Sequence, residues 1–248
     1  MTEIDICKST RILKEIFEIT KPDEGHGIEH AFKVQEHSLK ALNCSKEDIT
    51  DRIRLLVQLS SLLHDVEDHK FVKVEDKGKW VKYFFDEYFD GHYRSQDLEL
   101  VMEIIDSVSC SKYGDTRTRD EKWFYITRYS DRLEATGEIG IKRAKIYSER
   151  IQRPLFCPET VVVNNRKELH DKINRDRYIE YIGNGGKTSY SETMIDHLYD
   201  KVMHIEVPEW MDNEYLIKES EVRKSYVEGW IIGFWQINKS VVRNGFNY

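Results

Sequence analysis

The sequence predicts an all-α fold, and three observations support this class. Apolar residues recur at the three- and four-residue spacing of helices along most of the chain. Four prolines and thirteen glycines in 248 residues are few for a turn-rich β-sandwich. The alternating pattern of half-buried strands is nearly absent, and only the valine run 161–163 resembles a strand fragment. We therefore expect a single all-α domain spanning residues 1–248.

The helical pattern is divided by capping residues and prolines. The first helix is expected to stop at Pro22, and the third to open at Ser45, with Asp48 three residues on, and to run to His64-Asp65. In order, the predicted helices cover about 8–20, 28–42, 45–65, 78–89, 95–109, 120–135, 138–150, 189–205 and 214–241.

Residues 151–188 differ in composition from the rest of the chain. Pro154 and Pro158 open this stretch, and the sequence Gly183-Asn-Gly-Gly-Lys-Thr188 closes it. It is predicted to be one long irregular crossover with room for a short helix, and loops of this length are often functional. Its end resembles a Walker A loop, but Tyr181 stands where that motif requires glycine. A flexible glycine-rich loop at a binding site is the better interpretation.

Composition and charge limit the classes of partner that we expect for this protein. A net charge of −7 argues against an extended nucleic-acid surface. No stretch approaches the roughly 20 apolar residues of a membrane span, and the N-terminus has no basic region followed by an apolar one, so we expect a cytoplasmic protein without a membrane partner. The four cysteines form no CxxC pair, which favours reduced, mostly buried thiols over disulfides or a zinc site.

The main candidate for chemistry is the doublet His64-Asp65 at the end of an apolar run. Ionisable residues at the end of a buried helix are costly unless their charge is compensated, and a divalent metal ion is the usual compensation. A histidine lies upstream, in His26-Gly-Ile-Glu-His30, and Asp131 ends a second apolar and aromatic run. A buried His–Asp hydrogen bond would explain the doublet alone, but it would not explain Asp131.

These residues carry a family resemblance. The order His30, His64-Asp65, Asp131 resembles the HD superfamily of metal-dependent phosphohydrolases. Residues 62–70 resemble its doublet motif, and residues 131–143 and 190–201 are similar to segments of the small bacterial HD proteins that act as nucleotide pyrophosphatases. The resemblance covers about residues 20–240. It implies an HD-type helical bundle with a metal-binding core at about 20–150 and C-terminal helices at about 189–242.

The resemblance also implies roles, residue by residue. It makes His30, His64, Asp65 and Asp131 the ligands of one divalent ion. Asp68 matches an acidic position near the attacking water; on a continuing helix it would share the face of His64 and could take the proton of that water. Glu67 is the second candidate for this base.

Cations are needed to meet the charge of a phosphate substrate. Lys70 matches a basic position of the family, and Arg143 and Lys201 flank the other motifs; a solvated surface charge is the alternative for each. His26, four residues before His30, is also assigned to the substrate.

The imidazole and carboxylate set favours Mn²⁺, with Fe²⁺, Mg²⁺, Zn²⁺ or Ni²⁺ as alternatives. The resemblance implies cleavage of a (deoxy)nucleoside triphosphate to a monophosphate and pyrophosphate by a metal-activated water. A nucleotide phosphatase, a phosphodiesterase and a non-catalytic nucleotide-binding regulator remain alternatives. The expected partner is a nucleotide or another small phosphorylated substrate, and a homodimer is compatible with the sequence.

Overall fold

The structure is a computed structural model that describes residues 4–22, 26–67, 74–186 and 192–243. Within these ranges all regular structure is helical, so the all-α prediction is confirmed. None of the described helices is both long and apolar enough to cross a membrane. The α-helices are α1 (Ile6–Thr20), α2 (Ile28–Asn43), α3 (Asp51–Leu63), α4 (Lys79–Tyr88), α5 (Ser95–Asp106), α6 (Cys110–Tyr113), α7 (Ile126–Glu134), α8 (Gly137–Arg150), α9 (Arg166–Lys172), α10 (Arg175–Gly183), α11 (Met194–Asp200) and α12 (Glu214–Arg243).

The start of α3 corrects one prediction. Thr50, not Ser45, caps this helix, because the Thr50 side chain accepts a hydrogen bond from the Ile53 N–H. The Ser45 hydroxyl instead accepts from the Glu47 N–H at 3.1 Å, within the preceding turn. The end of α3 also differs: the helix stops at Leu63, and His64 is its C-terminal cap.

The predicted crossover 151–188 is more ordered than expected. Asn165 caps α9 by accepting from the Glu168 N–H, and Asn174 caps α10 by accepting from the Asp176 N–H. The valines 161–163 form no strand, and Val163 is buried in an apolar cluster. Residues 187–188, the end of the glycine-rich segment, lie outside the described residues. The crossover therefore contains two short capped helices, α9 and α10, where one was expected, and residues 151–165 are irregular as predicted.

The chain groups into two compact units. The first unit consists of Met1–Ser109, Thr116–Asp131 and Glu209–Leu216. Its core is formed by the inward faces of α1, α3, α4 and α5, where Leu13, Ile16, Leu62, Leu63, Phe84, Phe85 and Val101 are buried together. Burying such side chains stabilises the folded state by roughly 1.5–3 kcal/mol each.

The second unit consists of Cys110–Asp115, Arg132–Pro208 and Ile217–Tyr248. Its apolar core gathers side chains of α8, α9, α11 and α12, including Leu169, Leu198, Val227, Ile231 and Trp235. Arg177 is buried in this unit and is paired with Asp200 at 2.5 Å and with Asp196 at 3.3 Å. Because each unit is assembled from separate stretches, the single-domain organisation stays a prediction.

The exposure of the cysteines differs from the prediction. Cys7, Cys44, Cys110 and Cys157 are all free, and their reduced state stays a prediction. Cys7 and Cys44 are exposed, however, so the expectation of mostly buried thiols is wrong.

Candidate metal centre

Three helices of the first unit bring the predicted ligand residues together. His30 lies in the first turn of α2, and Asp131 lies in α7. His64 caps the C-terminus of α3, and Asp65 follows in the turn after it. The apolar stripe of α3 packs into the core, so the end of this helix delivers the doublet to a site where both histidines are buried.

The polar ends of these side chains converge on one point. The two imidazoles face each other, with 3.2 Å between His30 Nε2 and His64 Nε2. Asp65 Oδ2 lies 3.4 Å from His30 Nε2 and 3.3 Å from His64 Nε2. Asp131 Oδ1 lies 3.2 Å from His30 Nε2 and 3.6 Å from His64 Nε2. Two nitrogens and two oxygens thus share a small volume.

This donor set fits a divalent ion. Asp65 Oδ2 is buried and, among the described residues, has only the two imidazole nitrogens near it, at 3.3–3.4 Å and without good hydrogen-bond geometry. Such an oxygen is costly to bury unless a cation faces it. Ligand atoms about 2.1 Å from a common ion are roughly 3.0–3.4 Å apart at octahedral or tetrahedral angles. The spacings of 3.2–3.6 Å observed between His30, His64 and the two carboxylates are close to this range.

The charges within the cluster shift the pKa values of its members. Burial by itself would lower the pKa of His64, but the neighbouring carboxylates of Asp65 and Asp131 outweigh burial and raise that pKa well above its usual value. Burial would raise the pKa of each carboxyl group, yet the two imidazoles hold the pKa of Asp65 and of Asp131 well below the usual value. The carboxylates therefore stay ionised and attract positive charge into the site.

A backbone contact orients the His64 ring. His64 Nδ1 lies 2.8 Å from the Ser61 carbonyl oxygen, which can only accept, so Nδ1 carries the proton that it donates. In neutral imidazole this leaves the lone pair of Nε2 directed at the cluster, as metal ligation requires. The sequence interpretation missed Ser61, although a serine pair within an apolar helix was a visible signal.

Glu67 has a structural role that the sequence did not indicate. Its Oε2 accepts a hydrogen bond from the Gly78 N–H at 2.5 Å, and its Oε1 accepts from Trp80 and Val81 at 2.6 and 3.0 Å. The carboxylate thereby caps the N-terminus of α4. Because α3 ends at Leu63 and residues 64–67 form turns, the prediction that this helix runs to residue 65 was also wrong.

The residues predicted to contact substrate are divided between the two units. The His26 ring lies edge-on to His30, with 6.3 Å between their centroids. Arg143 and Lys201 belong to the second unit; there Arg143 donates to the Glu134 carbonyl at 3.3 Å, and the Lys201 ammonium lies 6.0 Å from the centroid of the Tyr181 ring. Asp68 and Lys70 lie outside the described residues.

Solved structures share this fold. A Lactobacillus plantarum protein aligns with a TM-score of 0.63 at 19% identity, covering 96% of this chain and 100% of that one. An HD-superfamily hydrolase from Bacillus thuringiensis aligns at 0.58 and 21%, with 92% and 95% covered. Bacillus subtilis YpgQ, solved in complex with ADP, aligns at 0.57 and 16%, with 97% of each chain covered. The chain therefore has an HD-like fold.

Sequence comparison gives a nearer relative. No family model matches the chain. The uncharacterized protein L803 of Acanthamoeba polyphaga mimivirus is 33% identical over an alignment of 242 residues, with 93% of this chain and 97% of the viral protein covered. At this identity and coverage, the chain belongs to the same protein family as mimivirus L803.

Proposed function

We propose that this protein is a metal-dependent phosphohydrolase that acts on nucleotides. One observation carries the proposal: His30, His64, Asp65 and Asp131 bring two imidazole nitrogens and two carboxylate oxygens to spacings of 3.2–3.6 Å. An HD-like fold and a structural neighbour described as an HD-superfamily hydrolase support it.

In this proposal the four residues are the ligands of one divalent ion. Two neutral imidazoles and two carboxylates contribute a charge of about −2, so a divalent ion brings the site close to neutral and leaves it able to accept an anionic phosphate. Imidazole and carboxylate together favour Mn²⁺, with Fe²⁺, Mg²⁺, Zn²⁺ and Ni²⁺ as alternatives.

The ion would lower the pKa of a water molecule and polarise a phosphoryl oxygen. The contribution of the chain is to hold the donor atoms in place: Ser61 fixes the His64 tautomer, and the burial of both imidazoles limits competing water. Asp68 remains the sequence-based candidate for the group that takes the proton of the attacking water. Lys70, Arg143 and Lys201 remain candidates for binding the phosphate chain.

The proposed substrate is a (deoxy)nucleoside triphosphate, cleaved to a monophosphate and pyrophosphate. The resemblance of residues 131–143 to bacterial nucleotide pyrophosphatases supports this choice, and the neighbour YpgQ was solved with ADP. Removal of a single phosphate, or opening of a phosphodiester, are alternatives on the same centre.

The test is a hydrolysis panel on the purified chain. Nucleoside mono-, di- and triphosphates, with ribose and deoxyribose, are incubated with each of the five metal ions after removal of bound metal. Ion chromatography separates phosphate, pyrophosphate and triphosphate. We expect pyrophosphate as the product, Mn²⁺ as the best activator, and no activity in excess chelator.

Matched variants separate the site from the surface. Asp65→Asn keeps the size of the side chain but removes its charge, and it should abolish activity. Asp120→Asn makes the same change at an aspartate with a fully exposed side chain and should leave activity unchanged. Full activity in excess chelator would overturn the metal-dependent proposal, whereas phosphate as the sole inorganic product would overturn only the choice of bond.

A further inference from the structure

Three buried hydroxyl groups meet beside the metal centre, one from each helix that supplies a ligand. Ser61 Oγ on α3 lies 2.8 Å from Ser38 Oγ on α2 and 3.2 Å from Thr127 Oγ1 on α7. None of the three residues is exposed to solvent. Ser38 shares α2 with His30, Thr127 shares α7 with Asp131, and Ser61 lies in α3 three residues before His64, the C-terminal cap of that helix.

The hydroxyl cluster connects directly to a ligand. The Ser61 carbonyl accepts the hydrogen bond from His64 Nδ1 at 2.8 Å, so the backbone at Ser61 sets the direction of that imidazole. The Ser61 side chain also lies 2.7 Å from the Val57 carbonyl oxygen of its own helix. One residue therefore contacts both neighbouring helices through its hydroxyl and the ligand histidine through its carbonyl.

The adjacent serine shows that burial alone does not require this arrangement. Ser60 is also fully buried on α3, and its hydroxyl donates to the Leu56 carbonyl at 2.8 Å. That bond remains within the helix, whereas the Ser61 hydroxyl lies within hydrogen-bond distance of the Val57 carbonyl and also of Ser38 on α2 and Thr127 on α7. The two serines form a natural comparison, matched in type, helix and burial.

A buried polar cluster that is mutually hydrogen-bonded fixes the register of the helices that carry it, because any sliding leaves its members unpaired. Apolar contacts around it tolerate small shifts at lower cost. Metal ligation, in contrast, requires donor positions accurate to within about 0.5 Å.

We propose that Ser61, together with Ser38 and Thr127, is a positioning device for the metal centre: it holds α2, α3 and α7 in the register at which the ligands share one ion. The inference rests on the proposed metal site and extends it to residues that do not touch the ion. Removing a hydroxyl of this cluster should lower the metal affinity of the protein more than it lowers the stability of the fold.

The experiment measures the Mn²⁺ affinity of the metal-free full-length chain by competition with a chelating dye. The Co²⁺ absorption spectrum and the melting temperature without metal are recorded alongside. Ser61→Ala and Thr127→Val should each lower Mn²⁺ affinity by about tenfold or more, as losses of outer-shell support do. Ser60→Ala should change it by about twofold or less, at a similar melting temperature. Thr127→Ser, which keeps the hydroxyl, should restore most of the affinity.

The cluster should also act as a unit. The double variant Ser61→Ala/Thr127→Val should lose less affinity than the product of its two single losses, because the first substitution already breaks the contact. The Co²⁺ spectrum should change in the Ser61 and Thr127 variants and stay as in the wild type for Ser60→Ala.

The outcomes separate the two proposals. If the wild type binds no divalent ion, the proposed metal site fails, and this inference fails with it. If the wild type binds Mn²⁺ and Ser61→Ala retains the affinity of Ser60→Ala, the metal site stands and the positioning role is overturned. Should Ser61→Ala not fold, Ser38→Ala and Thr127→Val carry the same comparison, because both leave Ser61 in place.

Discussion

Replacing Glu67 tests whether this residue supports structure or transfers a proton. Helix α4 begins after Gly78, which has no side chain with which to cap it and adopts a φ of 83°. The cap is supplied from eleven residues upstream, where the Glu67 carboxylate accepts from the N–H groups of Gly78, Trp80 and Val81. Its negative charge also faces the positive end of the helix dipole. Glu67→Ala removes all three bonds.

The expected cost follows from these contacts. A hydrogen bond to a charged group contributes about 1.5–3 kcal/mol, and loss of a helix cap costs about 0.5–2 kcal/mol. Glu67 is only partly buried, so water replaces some of the lost bonds. We expect Glu67→Ala to lower the free energy of unfolding by about 2 kcal/mol. In a chain of this size the melting temperature would fall by roughly 4–8 °C.

Two measurements locate the effect. Thermal unfolding gives the overall loss of stability, and hydrogen exchange followed by mass spectrometry gives the protection of α4 amides, which should fall in Glu67→Ala. Glu87→Ala is the matched control, because Glu87 is exposed on the same helix. The control should preserve both the melting temperature and the protection of the first turn.

The contrary result is equally definite. If Glu67→Ala keeps the wild-type melting temperature and amide protection while nucleotide hydrolysis falls by about two orders of magnitude, then Glu67 is the proton-transfer group. The capping argument would then be wrong.

Three further outcomes are expected. Asp131→Asn should weaken Mn²⁺ binding in chelator competition, whereas Asp120→Asn should not, because Asp131 contacts both imidazoles and Asp120 is an exposed aspartate outside the site. Asp68→Ala should retain the metal while turnover falls by about 100-fold, as for loss of a general base; loss of metal instead would make Asp68 a ligand. Burial lowers the pKa of His204 to about 4 from 6.5. Because the unfolded chain binds a proton at this histidine more readily than the folded chain does, the free energy of unfolding is highest above about pH 6.5. It should be lower by about 2 kcal/mol at pH 5. Denaturant unfolding should show a smaller loss between pH 7.5 and 5 for His204→Gln, and an identical pH dependence would contradict the reasoning.

The sequence predicted the helices well because their signals are local. The periodicity located most of them, and the all-α class followed directly. The start of α3 was misplaced because Ser45 and Thr50 are both competent caps, and only the folded chain shows which one the helix uses. Asn165 and Asn174, in contrast, are residue types that commonly cap helices, and they do cap α9 and α10. The prolines at the start of this stretch favoured an irregular structure instead.

The candidate site was only partly accessible to sequence. The doublet and the resemblance identified four residues on or next to three helices, and the structure brings them together. The support of the site depends on contacts between residues far apart in the chain, such as Ser38 with Ser61 and Glu67 with α4, for which no spacing rule exists. The periodicity of α3 also did not reveal that the helix ends at Leu63, before the doublet.

The two supports differ in what they fix. Glu67, two residues after Asp65, is bonded to the N-terminus of α4, so it ties the backbone next to the doublet to that helix. The hydroxyl cluster acts on the register of three helices, and so on the distances between ligand atoms. The ionised carboxylates attract a cation or a proton into the same small volume, but only an ion with several coordination positions uses all four donors at once. A proton requires no particular register. A cluster that maintains register, at the cost of placing three hydroxyls among apolar helices, is therefore understandable if the site binds metal.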